Sequence, residues 1–383
     1  MKKIILLLIL VLVSCQYEDY DDFKEPKPKP VVLDYKVSFD VIRHYSDLQI
    51  NFTTLNYYPN CGYDTTHAMA DFDLDGDIDI LLAPLCDDGQ GRQPEIAIFL
   101  NNDGVFTKSE ANISNNIGLF SGTRQTIVGD YNGDKIPDVF FASHGGHGLD
   151  GGLPTLLVSK GLEFEYIELD IGLGWYAFAS SGDIDGDGDL DILLSGRENG
   201  TFINNGSAEF TYSRHIMDNY TGNIGVTSLV DINGDKALDL FYRSVDEHNY
   251  VLNVGGKFDY LNRKVVSYPS TLITDIAVDL DIQDRVFYDL DKDKDLDIIT
   301  VSMPHDQNTS PLGQFYMVEV FINDNGVYTD KTKELIDENI SSKYIEWLRL
   351  YDLDKDNLIE LFDNSSFYRE WNGYKFVKQN LED

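Results

Sequence analysis

Six acidic nonapeptides recur along the chain with their first residues 48 to 63 positions apart, and they limit its fold more than any other feature. Each places oxygen-bearing side chains at positions 1, 3, 5 and 9. The first three sets are Asp71, Asp73, Asp75 and Asp79; Asp130, Asn132, Asp134 and Asp138; and Asp183, Asp185, Asp187 and Asp191. The others are Asp231, Asn233, Asp235 and Asp239; Asp289, Asp291, Asp293 and Asp297; and Asp352, Asp354, Asp356 and Glu360. Alternate residues of a tight loop turn several carboxylates toward one point, where they repel one another unless a cation neutralises them. Calcium takes six to eight hard oxygens at ~2.3–2.6 Å in a tolerant geometry, and a backbone carbonyl at position 7 can complete the set. Magnesium prefers a strict octahedron and retains its waters. The expectation is up to about six Ca2+ ions, one per loop.

The flanks decide what kind of loop this is. An EF-hand needs a bidentate glutamate at position 12 between two helices. Here position 12 is Leu82, Phe141, Leu194, Tyr242, Thr300 and Asp363. The loops run instead into Ile80-Leu81-Leu82, Val139-Phe140-Phe141, Ile192-Leu193-Leu194 and Ile298-Ile299-Thr300-Val301, short apolar runs that read as buried strands. Further on, hairpin signals recur around Gly104, Gly206, Gly256, Gly326 and Gly373, each flanked by apolar or aromatic residues. One unit is then strand A, acidic loop, strand B, strand C, tight turn, strand D. Four antiparallel strands per unit make the blade of a β-propeller, an all-β fold.

Loops and hairpins together resemble FG-GAP/VCBS repeats, the repeat of integrin α-subunit propellers and of many bacterial surface proteins. The resemblance covers residues 62–383 and implies that the calcium loops join strands A and B on one face of the disc. It is specific for fold and says little about activity, since one fold hosts many functions. Six units carry the motif. Residues 31–61 hold strand-like stretches without it, and are expected to supply a closing strand or a degenerate seventh blade.

The N-terminal end reads as an export signal and tether. Two lysines precede ten apolar residues, Ile4 to Val13, a stretch too short to span the ~30 Å core of a bilayer. Leu12-Val13-Ser14-Cys15 resembles a bacterial lipobox, which implies a signal peptide over 1–14 and a lipid on Cys15. The acidic run Glu18, Asp19, Asp21, Asp22 resembles the export tag of surface lipoproteins in Bacteroidota. Alternating Lys-Pro up to Pro30 favours an extended stalk, so 15–30 reads as a tether and 31–383 as the body. The expected location is the outer membrane, facing outward, with the membrane reached through the lipid only. Cys61 and Cys86 flank the first loop at similar distances, and in an oxidising compartment a disulfide between them is expected.

A formal charge of −36 opposes binding to nucleic acid or anionic lipid. If the A–B loops hold calcium, the B–C and D–A connections form the opposite face, and that is where a ligand is expected. His67, Arg124, His144, His147, Trp175, Tyr176 and Trp347 map there or just inside it. Aromatic rings with a few hydrogen-bond donors suit capture of a polysaccharide, a glycoprotein or another protein. No zincin helix, nucleophile elbow or phosphate loop is present in the sequence. A monomeric, non-enzymatic surface binder is the leading expectation; a propeller lyase or glycosidase, or a scaffold subunit of an outer-membrane assembly, are the alternatives.

Overall fold

The computed structural model describes residues 36–38 and, between 65 and 379, all but 85–96, 103–104, 110–111, 115–122, 144–150, 221, 223, 244–247, 267–279, 305–314, 338, 342–344, 346–347, 352–357 and 364–367. The described chain forms six antiparallel sheets arranged as the blades of a β-propeller, each an A-B-C-D meander. Blade I comprises Thr65–Ala70, Asp79–Pro84, Ala97–Asn102 and Val105–Ser109; blade II comprises Thr123–Gly129, Asp138–Ser143, Thr155–Lys160 and Glu163–Glu168. Blade III comprises Tyr176–Gly182, Asp191–Gly196, Gly200–Asn204 and Phe210–Ser213; blade IV comprises Thr227–Val230, Asp239–Arg243, His248–Val251 and Lys264–Val266. Blade V comprises Leu280–Tyr288, Asp297–Pro304, Tyr316–Asp324 and Val327–Asp330; blade VI comprises Leu348–Tyr351, Glu360–Asp363, Tyr368–Trp371 and Phe376–Gln379. Every acidic nonapeptide joins strand A to strand B.

The apolar runs after the loops are continuous because strand B is covered on both faces. In blade II all six residues of Asp138–Ser143 are buried. Successive side chains point to opposite faces of a strand. Val139 and Phe141 therefore pack with Phe72, Leu81 and Ile98 of blade I. Phe140 and Ala142 pack with Ile192, Leu194 and Phe202 of blade III. The same division continues around the disc, with Leu240 and Tyr242 facing blade III while Phe241 faces Ile298 and Phe321 of blade V. The hydrophobic core is thus a set of inter-blade layers.

The outer edges carry short extra strands. Lys36–Ser38 pairs antiparallel with Val105–Ser109, the last strand of blade I. Asn112–Ser114 runs parallel to Glu163–Glu168 of blade II, and Ile340–Ser341 pairs with the start of strand C in blade V. These additions occupy hydrogen-bonding edges that would otherwise face other chains. Within the stretch 31–61, the described strand lies on the rim of blade I; six sheets, and no seventh, are formed by the described residues. Among these residues no helix is long and apolar enough to cross a membrane. Cys15, Cys61 and Cys86 lie outside the described residues.

Candidate functional site

The first five acidic loops, which are described throughout, share one backbone design. The position-9 aspartate is fully buried, and its two carboxylate oxygens accept one N–H from loop position 2 and one from strand C. On Asp79 the donors are Phe72 and Asn101, both at 2.8 Å. On Asp138 they are Tyr131 and Ser159, at 2.9 and 2.7 Å; on Asp191, Ile184 and Asn204, both at 2.8 Å. On Asp239 they are Ile232 and Asn253 at 3.1 and 2.8 Å, and on Asp297 Leu290 and Asn323 at 2.7 and 2.8 Å. Position 9 is therefore a structural bolt between loop and sheet as well as a candidate ligand.

Position 1 organises the rest of the turn. Asp130 accepts the N–H groups of Gly133, Asp134 and Lys135 at 2.8, 3.1 and 2.8 Å. Curling three N–H groups around one carboxylate requires a left-handed backbone at positions 4 and 6. Glycine adopts it freely at Gly133, Gly186 and Gly234, but Leu74, Lys135, Lys236, Lys292 and Lys294 are held there too, with φ between 62° and 83°. Left-handed backbone costs a residue with a side chain roughly 1–2 kcal/mol, part of which glycine forfeits again as entropy on folding. Lys292→Gly and Lys294→Gly are expected to raise stability by about 0.5–1 kcal/mol each, read as a higher midpoint in denaturant titration; a lower midpoint contradicts the loop geometry.

In three loops the carboxylates of positions 1, 3 and 9 offer one oxygen each within 4.8 Å of one another. These are Asp71, Asp73 and Asp79; Asp183, Asp185 and Asp191; and Asp289, Asp291 and Asp297. Oxygens on opposite sides of one calcium ion lie about 4.6–5.2 Å apart, so the spacing suits that ion. Burial pushes the carboxyls of Asp79, Asp138 and Asp297 up to about 6, against the lowering effect of the two N–H donors each accepts. Asp73, Asp185 and Asp291 are also raised, first by burial and also by their acidic loop neighbours. A cation in the loop offsets both causes. Position 5 turns partly inward to the backbone: Asp75, Asp134, Asp187, Asp235 and Asp293 each accept the N–H of position 7 at 2.8–3.0 Å. In loops two and four, Asn132 and Asn233 hold the position-3 place and donate to the position-5 aspartate at 3.0 Å. Of the sixth loop, Asp352, Asp354 and Asp356 lie outside the described residues, and Glu360 is buried at the start of its strand.

The asparagines near the end of strand C carry a role that sequence reading passed over. Asn204 donates to the backbone carbonyl of Tyr131 at 2.8 Å, and Asn253 to that of Ile184 at 2.7 Å. Each thereby ties its own blade to the acidic loop of the preceding one. Their signal in the sequence is the repeated Asn at 101, 204, 253 and 323, each a few residues before a hairpin glycine.

On the opposite face, four of the seven predicted residues are described. His67 sits in strand A of blade I, opposite Leu82. Arg124, half-buried in blade II, lies over the Phe178 ring with 5.3 Å to its centroid. Tyr176 is 2% exposed and packs in the layer between blades II and III. It is a core residue, because the first residue of strand A already faces the neighbouring blade. His144, His147 and Trp347 lie outside the described residues. Trp175 is 38% exposed, and Arg197 stacks over its ring at 4.5 Å.

Beside that pair opens a cleft of about 340 Å³, which sequence reading did not locate. One wall is the B–C turn of blade III, Arg197 to Asn199; the other is the connection from Arg214 to Ile224 that leads into blade IV. Ile216, Met217 and Ile224 are buried beneath it. Asn199 ties the walls together, donating to the Gly222 carbonyl at 2.9 Å and accepting the Ile224 N–H at 3.4 Å. Gly196 lets the turn approach Trp175 closely, because a Cβ there would collide with the Trp175 carbonyl.

Residues 49–141 and 183–242 match the family model of the FG-GAP-like repeat. The match and the six blades agree. No match was found among curated proteins. Among solved structures, an Agrocybe aegerita lectin that recognises non-reducing terminal N-acetylglucosamine superposes with a TM-score of 0.53 at 18% identity, over 85% of this chain and 83% of the lectin. The V. cholerae biofilm matrix protein Bap1 gives 0.39 at 16% identity, over 69% of this chain and 38% of that one. A Bacillus licheniformis rhamnogalacturonan lyase gives 0.35 at 16% identity, over 82% and 56%. This chain therefore spans about two fifths of the matrix protein and just over half of the lyase. At these identities the likeness to the lectin is one of fold alone.

Proposed function

We propose that this propeller is a calcium-stabilised, non-catalytic binder that captures a glycan, free or on a glycoprotein, at the face opposite its acidic loops. The observation that carries the reading is the cleft between blades III and IV. It combines polar walls and a buried apolar floor, with the partly exposed Trp175 stacked on its Arg197, and its volume lies at the lower end of the ~300–1,000 Å³ typical of small-ligand sites. Calcium in this reading neutralises and pins the A–B loops and touches no ligand. The one tyrosine of the cleft, Tyr220, has its hydroxyl pushed up by burial and by Tyr260, which opposes its use as a base.

The reading is tested by a glycan array run together with a product assay on the same polysaccharides. Binding without product formation supports it; chain cleavage or release of unsaturated ends replaces it with the enzyme reading. The tether belongs to the same proposal: a lipid on Cys15 would hold the propeller at the outer surface of the outer membrane. Mass spectrometry of the mature N-terminus checks it, and an unmodified or absent Cys15 removes the anchor.

A further inference from the structure

We infer that the cleft between blades III and IV selects an anionic glycan, one carrying carboxylate or sulfate groups, through Arg197 and Arg214. This inference rests on the glycan-binding reading and names the chemistry of its ligand.

The argument begins with charge. The chain has 66 acidic residues against 30 lysines and arginines, so a guanidinium left without an acidic partner is unexpected. Arg243 pairs with Asp281, and Arg349 with Asp284 at 2.9 Å. Arg197 and Arg214 differ. Both are exposed, both line the cleft, and neither has an ion-pair partner among the described residues. His215 lines the same cleft and is exposed beside them.

The single acidic residue of the lining, Glu198, is directed elsewhere and forms no ion pair with either arginine. An oxygen of Glu198 accepts the backbone N–H of Trp175 at 2.5 Å, which fixes that carboxylate against the neighbouring connection. Arg197 is oriented in turn by stacking on the Trp175 ring, which leaves its N–H edges available. A planar guanidinium with a fixed direction presents paired donors that match a carboxylate or sulfate. Trp175, 38% exposed, sets apolar surface next to that charge, a pairing that suits a sugar ring bearing an acid group.

The chain's overall negative charge does not defeat this. The acidic loops lie at the far ends of strands of about six residues, roughly 20 Å from the B–C turns at ~3.3 Å per residue. At physiological ionic strength the screening length is about 8 Å, so the cleft responds mainly to its own groups. Bound calcium would reduce the opposing charge further.

The test uses the full chain with calcium and two matched pairs of probes: polygalacturonate against its methyl ester, and dextran sulfate against dextran. Binding of at least one acidic probe is expected, at least tenfold tighter than its neutral partner, and weakened about tenfold or more by Arg214→Gln and by Arg197→Gln. The pair that shows the preference separates carboxylate from sulfate. Equal binding of acidic and neutral probes, or binding indifferent to both substitutions, overturns the anionic inference. If neutral dextran or the ester binds and Trp175→Ala abolishes it, the glycan reading stands while the anionic one falls. If the array and all four probes are silent, both fall. Because both arginines are exposed, their replacement leaves the fold intact, as an unchanged melting temperature will verify.

Discussion

Chelation with EGTA is expected to lower the melting temperature of this protein by roughly 15 °C. The physical reason is linkage. A ligand that binds only the native state adds about 2.7 kcal/mol per site at a hundredfold excess over its dissociation constant. The three loops whose carboxylates converge within 4.8 Å would together contribute about 8 kcal/mol. For a body of this size, each kcal/mol is worth roughly 2 °C. Removing the ions also returns several carboxylates per loop to mutual repulsion at the raised pKa values that burial imposes. The shift should grow with calcium concentration, and elemental analysis should find several calcium ions per chain. An unchanged melting temperature with no bound metal would sink the calcium reading of the loops.

The second large effect concerns position 9. Asp297→Ala is expected to cost about 2 kcal/mol or more even in EGTA, whereas Asp293→Ala should matter chiefly when calcium is present. Asp297 is fully buried and accepts two backbone N–H groups, from Leu290 and from Asn323; alanine leaves both donors without their acceptor. A buried unpaired donor costs about 1–3 kcal/mol. Asp293 is exposed and bonds only within its own turn. The pH dependence carries a definite sign. The Asp297 carboxyl, pushed up to about 6 from an ordinary value near 3.8, contributes stability that is complete below the unfolded value and is lost as pH rises through about 6. In EGTA the deficit of Asp297→Ala should therefore be larger at pH 5 than at pH 8. With calcium bound the carboxylate is held ionised, and the deficit should persist at pH 8. Denaturant titration of both variants with and without calcium measures all of this. Equal losses for the two substitutions, vanishing together in EGTA, would remove the structural role assigned to position 9.

Much of the fold was legible because its periodicities are local. The acidic positions 1, 3, 5 and 9 mark each A–B turn, and Ile192-Leu193-Leu194 or Val139-Phe140-Phe141 mark each strand B. The C–D hairpin of blade II was the one without a ready signal. Its turn is Gly161-Leu162 between Lys160 and Glu163, lacking the Asn-Gly or Asp-Gly pair that announces the hairpins of blades I, III, V and VI. The ligand face was harder. Tyr176 and Trp175 are adjacent in sequence, yet one is in the core and the other on the surface, since strand A begins between them. Arg214 and His215 lie in a D–A connection with no motif, and nothing local shows that it folds against the B–C turn of its own blade.

By itself, then, the sequence determined the repeat, the all-β blade and the chemistry of the acidic turns, since each depends on residues within a dozen positions of one another. Tertiary structure decided three further things: that position 9 bolts the turn to strand C, that Asn204 and Asn253 join one blade to the loop of the next, and that Arg197 and Arg214 share a cleft beside Trp175. Each brings together backbone or side-chain groups from separate strands, connections or blades. Such groups meet only after the sheets have stacked around the disc, and the spacing of residues along the chain carries no record of that distance.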